Sequence, residues 1–218
     1  MNSAGSGASD SPLDPAAMLE LVNHQQRAVG RALARHIPWI LFAWAIAWGL
    51  GFALLWLAAV SESIPGLVAT LAFAALLAGA VVVSAVVGSR ANRGIRPTSS
   101  GAFTGTLFGV TATAAGGGLT LLGYGLMHNG MPSALMWVYF PSISALLIGI
   151  LYLMAAAIWR ERSMVILGGW LILVGAVAPF FGTPNHFLVF AIAGGGGFLV
   201  SGVLLAIHTR TGRLALGD

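Results

Sequence analysis

The sequence predicts an all-α fold: a polytopic membrane bundle of six transmembrane helices with an N-terminal amphipathic surface helix. Three observations carry this expectation. Of 218 residues, 58% are hydrophobic and 7% are charged, where soluble domains carry about 25% charged residues. Six segments are apolar over the roughly 20 residues that a helix needs to cross a bilayer. All ten basic residues are arginines, and they fall only in alternate connections between those segments. A water-soluble globule with so little charge would have almost nothing with which to cover its surface. Soluble enzymes, disulfide scaffolds and nucleic-acid binders are set aside on that ground. The absence of Cys removes disulfides, thiolate catalysis and Cys-ligated zinc. The absence of Lys removes Schiff-base and P-loop lysines. An Arg-only, Ala- and Gly-rich chain points to a GC-rich bacterial genome.

Residues 1–12 read as a disordered Gly/Ser/Ala/Asn tail. They lack the basic start and apolar run of a secretory signal. Residues 13–37 read as a helix that starts at Asp14-Pro15, a cap followed by a first-turn proline. Met18, Val22, Val29 and Leu33 share one face, and Arg27, Arg31 and Arg35 recur every fourth residue on another. This is the pattern of a helix lying on the cytoplasmic membrane surface with its arginines near anionic headgroups. Anchoring is the ordinary role of such a helix. Docking of a cytoplasmic partner is the functional one.

The expected spans are 38–60, 65–88, 101–127, 134–159, 163–181 and 185–208. Together they make 38–208 one transmembrane domain, followed by a cytoplasmic tail at 209–218. None contains Arg, Asp or Glu; one such charge at mid-span costs about 3 kcal/mol. Turn residues fill the gaps: Ser63 and Pro65, Pro97-Thr98-Ser99-Ser100, Asn129-Gly130 with Pro132, and Thr183-Pro184. The Arg160-Glu161-Arg162 turn is so short that spans four and five must be antiparallel neighbours.

Orientation follows from the arginines. Arg27, Arg31 and Arg35 precede span one. Arg90, Arg93 and Arg96 lie in the second connection, Arg160 and Arg162 in the fourth, and Arg210 and Arg213 in the tail. The first, third and fifth connections have none. Positive-inside bias then puts both termini in the cytoplasm of a cell-membrane protein, and the net charge of +4 needs no nucleic acid to explain it. Trp39 and Trp159 fall at one interface and Trp56, Trp137 and Tyr139 at the other, as anchoring aromatics do. Trp44, Trp48 and Trp170 lie deeper, as packing residues.

Candidate functional residues come from the small and polar side chains. Gly101, Gly105 and Gly109 recur every fourth residue in span three, and Thr113 and Gly117 extend the line. Span six carries four consecutive glycines at 194–197, with Gly195 and Gly196 at their centre. Glycine in a helix costs about 1 kcal/mol against alanine, so something must offset the run. Close packing of spans three and six, on each other or across a homo-oligomer interface, is the ordinary explanation; Gly196→Leu is then expected to destabilise assembly. Unwinding around a solute path at the membrane midplane is the other. Thr104, Thr106, Thr111, Thr113 and Thr120, ending at Tyr124, form a hydroxyl row in span three. They either line that path, with Thr106, Thr113 and Gly117 as its walls, or bond back to the preceding turn. Glu62, His128 and His186 lie one near each arginine-free connection. Such a trio would suit zinc if the hairpin ends converged.

No span holds an Asp, Glu, Arg or central His, and Ser142, Ser144 and Ser201 have no partnered base. An enzyme is not expected, nor is a cofactor. Pro141 and Pro179 are candidate kinks. Two function classes remain. One is a transport-associated subunit, permease-like or accessory, for a neutral or apolar solute. The other is a non-transporting scaffold, sensor or assembly partner working through helix contacts. A continuous polar cavity at Thr106, Thr113 and Gly117 favours the first; the same residues facing lipid favour the second.

Overall fold

The computed structural model of the chain describes residues 18–20, 36–61, 63–91, 99–159 and 161–211. Its six long helices have the length and composition to cross a membrane, and no strand occurs among the described residues. The protein is an all-α, multi-pass membrane bundle. Spans one to five are α1 (Ile37–Val60), α2 (Gly66–Ala91), α3 (Ser99–His128), α4 (Ser133–Trp159) and α5 (Arg162–Val177), which runs into a 3-10 turn at Ala178–Phe181. Span six has three pieces: α6 (Asn185–Val189), a π turn (Phe190–Gly194) and α7 (Gly195–Thr211). Within lipid every backbone N–H and C=O must be satisfied inside its own segment, and continuous helix does this.

The helix boundaries follow local chemistry. Pro38 sits in the first turn of α1, where its missing N–H costs nothing. Beyond α3, Gly130 takes φ +94°. Its N–H donates to Met127 O at 3.0 Å, and the N–H of Met131 donates to Leu126 O at 3.0 Å. This is a Schellman stop, which needs the left-handed conformation that glycine adopts freely. Pro141 is accommodated inside α4. Pro179 falls where α5 tightens into its 3-10 turn.

Packing runs in the order α2, α1, span six, α5, α4, α3. Helices α2 and α3 are consecutive in sequence yet stand at opposite ends of that order. Burial follows it: about a third of span one, five and six windows is buried (39%, 33% and 33%), against 6% of span two and 0% of span three. An aromatic cluster fills the centre. Trp48 meets Phe52, Phe190 and Phe198 with ring centroids 5.5, 6.0 and 5.4 Å apart, and Phe52 stacks on Phe190 at 5.0 Å. Such pairs prefer the edge-to-face and offset arrangements seen here. Helix α2 is tied to α1 where the Trp44 indole N–H donates to Ser84 Oγ at 3.1 Å. That hydroxyl in turn donates to Ala80 O at 2.8 Å.

The predicted surface helix over 13–37, with Arg27, Arg31 and Arg35, lies outside the described residues apart from a helical turn at 18–20 and the start of α1. The antiparallel neighbours predicted from the Arg160-Glu161-Arg162 turn are present as the α4–α5 pair.

Candidate functional site

Span six is organised by its glycines. Its buried residues include His186, Phe190, Gly194, Phe198 and Gly202, one every fourth position. In an α-helix of 3.6 residues per turn, each such step advances about 40°, so the line would wind about 160° around the helix. The π turn interrupts that drift. Gly195 N–H donates to Phe190 O, five residues back, and one extra residue in a turn sets the helix back by about 100°. Both halves of the span thereby keep the same face on α1.

Three of the four glycines of the run each seat a different neighbour. A Cβ built on Gly194 would lie 2.6 Å from Trp48 Cε3. On Gly195 it would lie 2.8 Å from the Gly49 Cα, where two backbones meet. On Gly197 it would lie 2.5 Å from Trp170 Cδ1. Further along, a Cβ on Gly202 would lie 2.8 Å from Phe42 Cε1. Gly196 is the exception, with nothing within 4 Å of a built Cβ. The expected tight contact is therefore at Gly195 and its neighbours rather than at Gly196. Trp170 also closes the π turn, its indole N–H donating to Ala193 O at 2.8 Å.

Span three differs. Helix α3 rests on α4 along one stripe. Phe108 meets Trp159 at 5.6 Å, Tyr139 Oη donates to Leu119 O at 2.9 Å, and a Cβ on Gly123 would lie 2.8 Å from Tyr139 Cε1. The rest of the helix faces outward. Gly105, Gly109 and Gly117 have nothing within 4 Å of a built Cβ. Gly105, Thr106, Gly109, Val110, Thr113 and Ala114 line a shallow open groove, with the exposed Gly101 one turn earlier. Among the described residues span three packs on α4, and no substantial contact joins it to span six. The aromatic rings of α4 cover the one half-buried stripe of α3, while Trp48, Gly49 and Trp170 already occupy the glycines of span six. Thr106, Thr113 and Gly117 are exposed and wall no enclosed cavity among the described residues. The hydroxyl row bonds back where its bonds are defined: Thr113 Oγ1 to Gly109 O at 2.9 Å and Thr120 Oγ1 to Gly116 O at 2.8 Å.

The expected zinc trio falls partly outside the described residues. Glu62 lies outside the described residues. His128 is exposed at the end of α3, and His186 is fully buried. The His186 ring nitrogens lie 2.9 Å from Trp137 O and 3.1 Å from Gly182 O, so carbonyls of span four and of the turn before α6 occupy its bonding positions. Carbonyl oxygens only accept, so the ring serves as the N–H donor in whichever of these bonds it makes. Among the described residues no group of three His, Asp or Glu could hold a metal. His186 is instead a polar tie between spans six and four.

The tightest backbone approach lies between α4 and α5, at residues the sequence reading passed over. A Cβ on Gly149 would lie 2.7 Å from Gly168 O, one on Gly168 would lie 2.8 Å from Gly149 O, and one on Gly175 would lie 2.9 Å from Ser142 O. Ser142 and Gly149 are seven residues apart, as are Gly168 and Gly175. Two small residues two turns apart on each of two antiparallel neighbours was a readable signal. Ser142 serves this contact by its small size; its buried hydroxyl has no hydrogen-bond partner among the described residues.

No known family, curated protein or solved structure matches the chain.

Proposed function

We propose that this multi-pass membrane protein is non-catalytic and works through helix contacts, as a scaffold or assembly partner whose third span offers its small-residue face to another membrane helix. The observation that carries this reading is a mismatch. Span three has the lowest mean hydropathy of the six, 1.3 against 2.1 to 2.5, yet none of its window is buried within the chain. Glycine and threonine give a lipid tail little to pack on, but they let a second backbone approach closely. The distribution of the arginines supports a cell-membrane protein with both termini in the cytoplasm.

The transport-associated reading, for a neutral or apolar solute, draws on the π turn, since irregular backbone at membrane depth lines the substrate sites of many transporters. Here Trp48, Gly49 and Trp170 fill the space around that turn, which favours the contact reading.

The Cys-free chain makes the test direct. Single cysteines are placed at Thr106, Gly109 and Thr113, with Val81→Cys on exposed α2 as control. Native membranes are treated with a benzophenone maleimide or with a charged, water-soluble thiol reagent. The expected result is a discrete photo-adduct from the α3 positions, absent from Val81→Cys, and no reaction with the charged reagent. An adduct of twice the chain mass identifies a second copy; another discrete mass identifies a different protein. Lipid adducts alone would overturn the contact reading, and rapid reaction of Thr113→Cys with the charged reagent would replace it with a hydrated path.

A further inference from the structure

Pro141 stands in the interior of α4. A proline there has no N–H to give to the carbonyl four residues back, which is that of Trp137. Lipid supplies no water to fill such a gap, so a carbonyl freed within a span needs a donor from inside the protein. Another helix provides one. His186 Nε2 of span six lies 2.9 Å from Trp137 O, and the His186 side chain is fully buried. The other ring nitrogen faces an oxygen that is already served. Nδ1 lies 3.1 Å from Gly182 O, but that oxygen accepts the His186 backbone N–H at 2.8 Å, and this bond by itself brings the ring close to it.

We propose that His186 is a positioning residue for α4 and α3: as the Nε2–H tautomer it supplies the hydrogen bond that Pro141 removes from α4, and span six thereby fixes residues 133–140 and the end of α3 that they carry. The two sides of Pro141 are held by different neighbours. Beyond it, α4 is seated on α5, where a Cβ on Gly149 or Gly175 would lie 2.7 or 2.9 Å from facing backbone. Before it, residues 133–140 hold α3. Tyr139 Oη donates to Leu119 O at 2.9 Å, and a Cβ on Gly123 would lie 2.8 Å from Tyr139 Cε1 and 3.1 Å from Phe140 Cζ. A proline gap is where a helix bends, and here the bond from His186 sets the bend from outside the helix. The Trp137 ring meets Phe187 edge-to-face at 6.3 Å, so the residue after His186 grips the same turn of α4. Span six has no substantial contact with α3; the link runs from His186 through Trp137 and Tyr139 to Gly123.

Two measurements on the full chain in nanodiscs holding one copy test this. The first is 15N NMR with labelled histidine, the His186 signals among the five histidines being assigned by their loss in His186→Gln. Nε2 is expected to carry the proton and Nδ1 to be bare. A ring protonated at Nδ1 alone would overturn the proposal. The second uses the absence of cysteine to place nitroxides at Leu121→Cys on α3 and Ile166→Cys on α5, both exposed, and reads their distance distribution by pulsed EPR. Glutamine carries its amide N–H at the reach of Nε2, asparagine only at the reach of Nδ1. His186→Gln is expected to keep the parent distribution, and His186→Asn to broaden or shift it. In a Pro141→Ala background the backbone N–H of residue 141 takes Trp137 O, and the Gln and Asn variants are expected to give the same distribution. Equal behaviour of Gln and Asn with Pro141 present, or an Asn effect undiminished in Pro141→Ala, would overturn the positioning role.

Discussion

Spans six and three carry the two glycine-rich stretches of the chain, and their surroundings are opposite. A Cβ at Gly195 would lie 2.8 Å from the backbone of α1, whereas one at Gly105, Gly109 or Gly117 would meet nothing within 4 Å. Every-fourth spacing marks a helix face on which backbones can approach, but it does not say whose backbone approaches. That depends on the facing helix. Span six faces Trp48 and Gly49 of α1 and Trp170 of α5, a ring or a small residue for each seat. Span three faces α4 only with its other side, where Tyr139 and Trp159 rest against Gly123 and Phe108. Glycine inside a bundle is a packing residue. The same glycine at its edge is an unfilled seat.

This comparison can be broken by substitution. The largest effect is expected from Gly168→Leu on α5, where backbone lies on the far side of the contact and only helix separation relieves the clash. It should lose about 3 kcal/mol or more, seen as a steep fall in thermal stability of the purified protein. Gly195→Ala, against the Gly49 backbone, should lose about 2 kcal/mol by the same measurement. His186→Phe removes the tie between spans six and four and leaves Trp137 O unpaired in a buried site, at a cost of about 1–2 kcal/mol. The opposite sign is expected at Gly109→Ala: an open position and a better helix former should raise the stability of the isolated chain by up to about 1 kcal/mol. Trp44→Phe, which breaks one interhelical bond to Ser84, should cost about 0.6 kcal/mol. A loss at Gly109→Ala as large as that at Gly195→Ala would erase the distinction between the two stretches.

Much of the fold was legible in the residues. Six windows free of charge, turn residues between them and the three-residue connection at 160–162 give the spans and the α4–α5 pairing, because lipid penalises charge and unpaired backbone so heavily. The partner choices were not legible. Nothing in the Gly101–Gly105–Gly109 line records that α3 lies at an edge; that follows from aromatic rings on α4 taking its other stripe. The π turn was also hidden, since its signal is a run of buried positions at a period of four where 3.6 is expected, across 186, 190, 194, 198 and 202. Glu62, His128 and His186 sit near arginine-free connections, but proximity to a loop does not tell exposure. His186 turns inward to two carbonyls while His128 stays exposed. The heptad-spaced pairs Ser142/Gly149 and Gly168/Gly175 were present in the chain and were outshone by denser glycine clusters.

The sharpest test compares assembly and fold in one sample. Gly109→Leu is combined with the Thr113→Cys photo-cross-link in native membranes, and the thermal stability of the purified single chain is measured alongside. A bulky side chain in an open seat should leave the melting temperature near that of the unsubstituted chain and abolish the discrete adduct. An undiminished adduct from a folded Gly109→Leu protein would show that span three's small-residue face is not where this protein meets its partner.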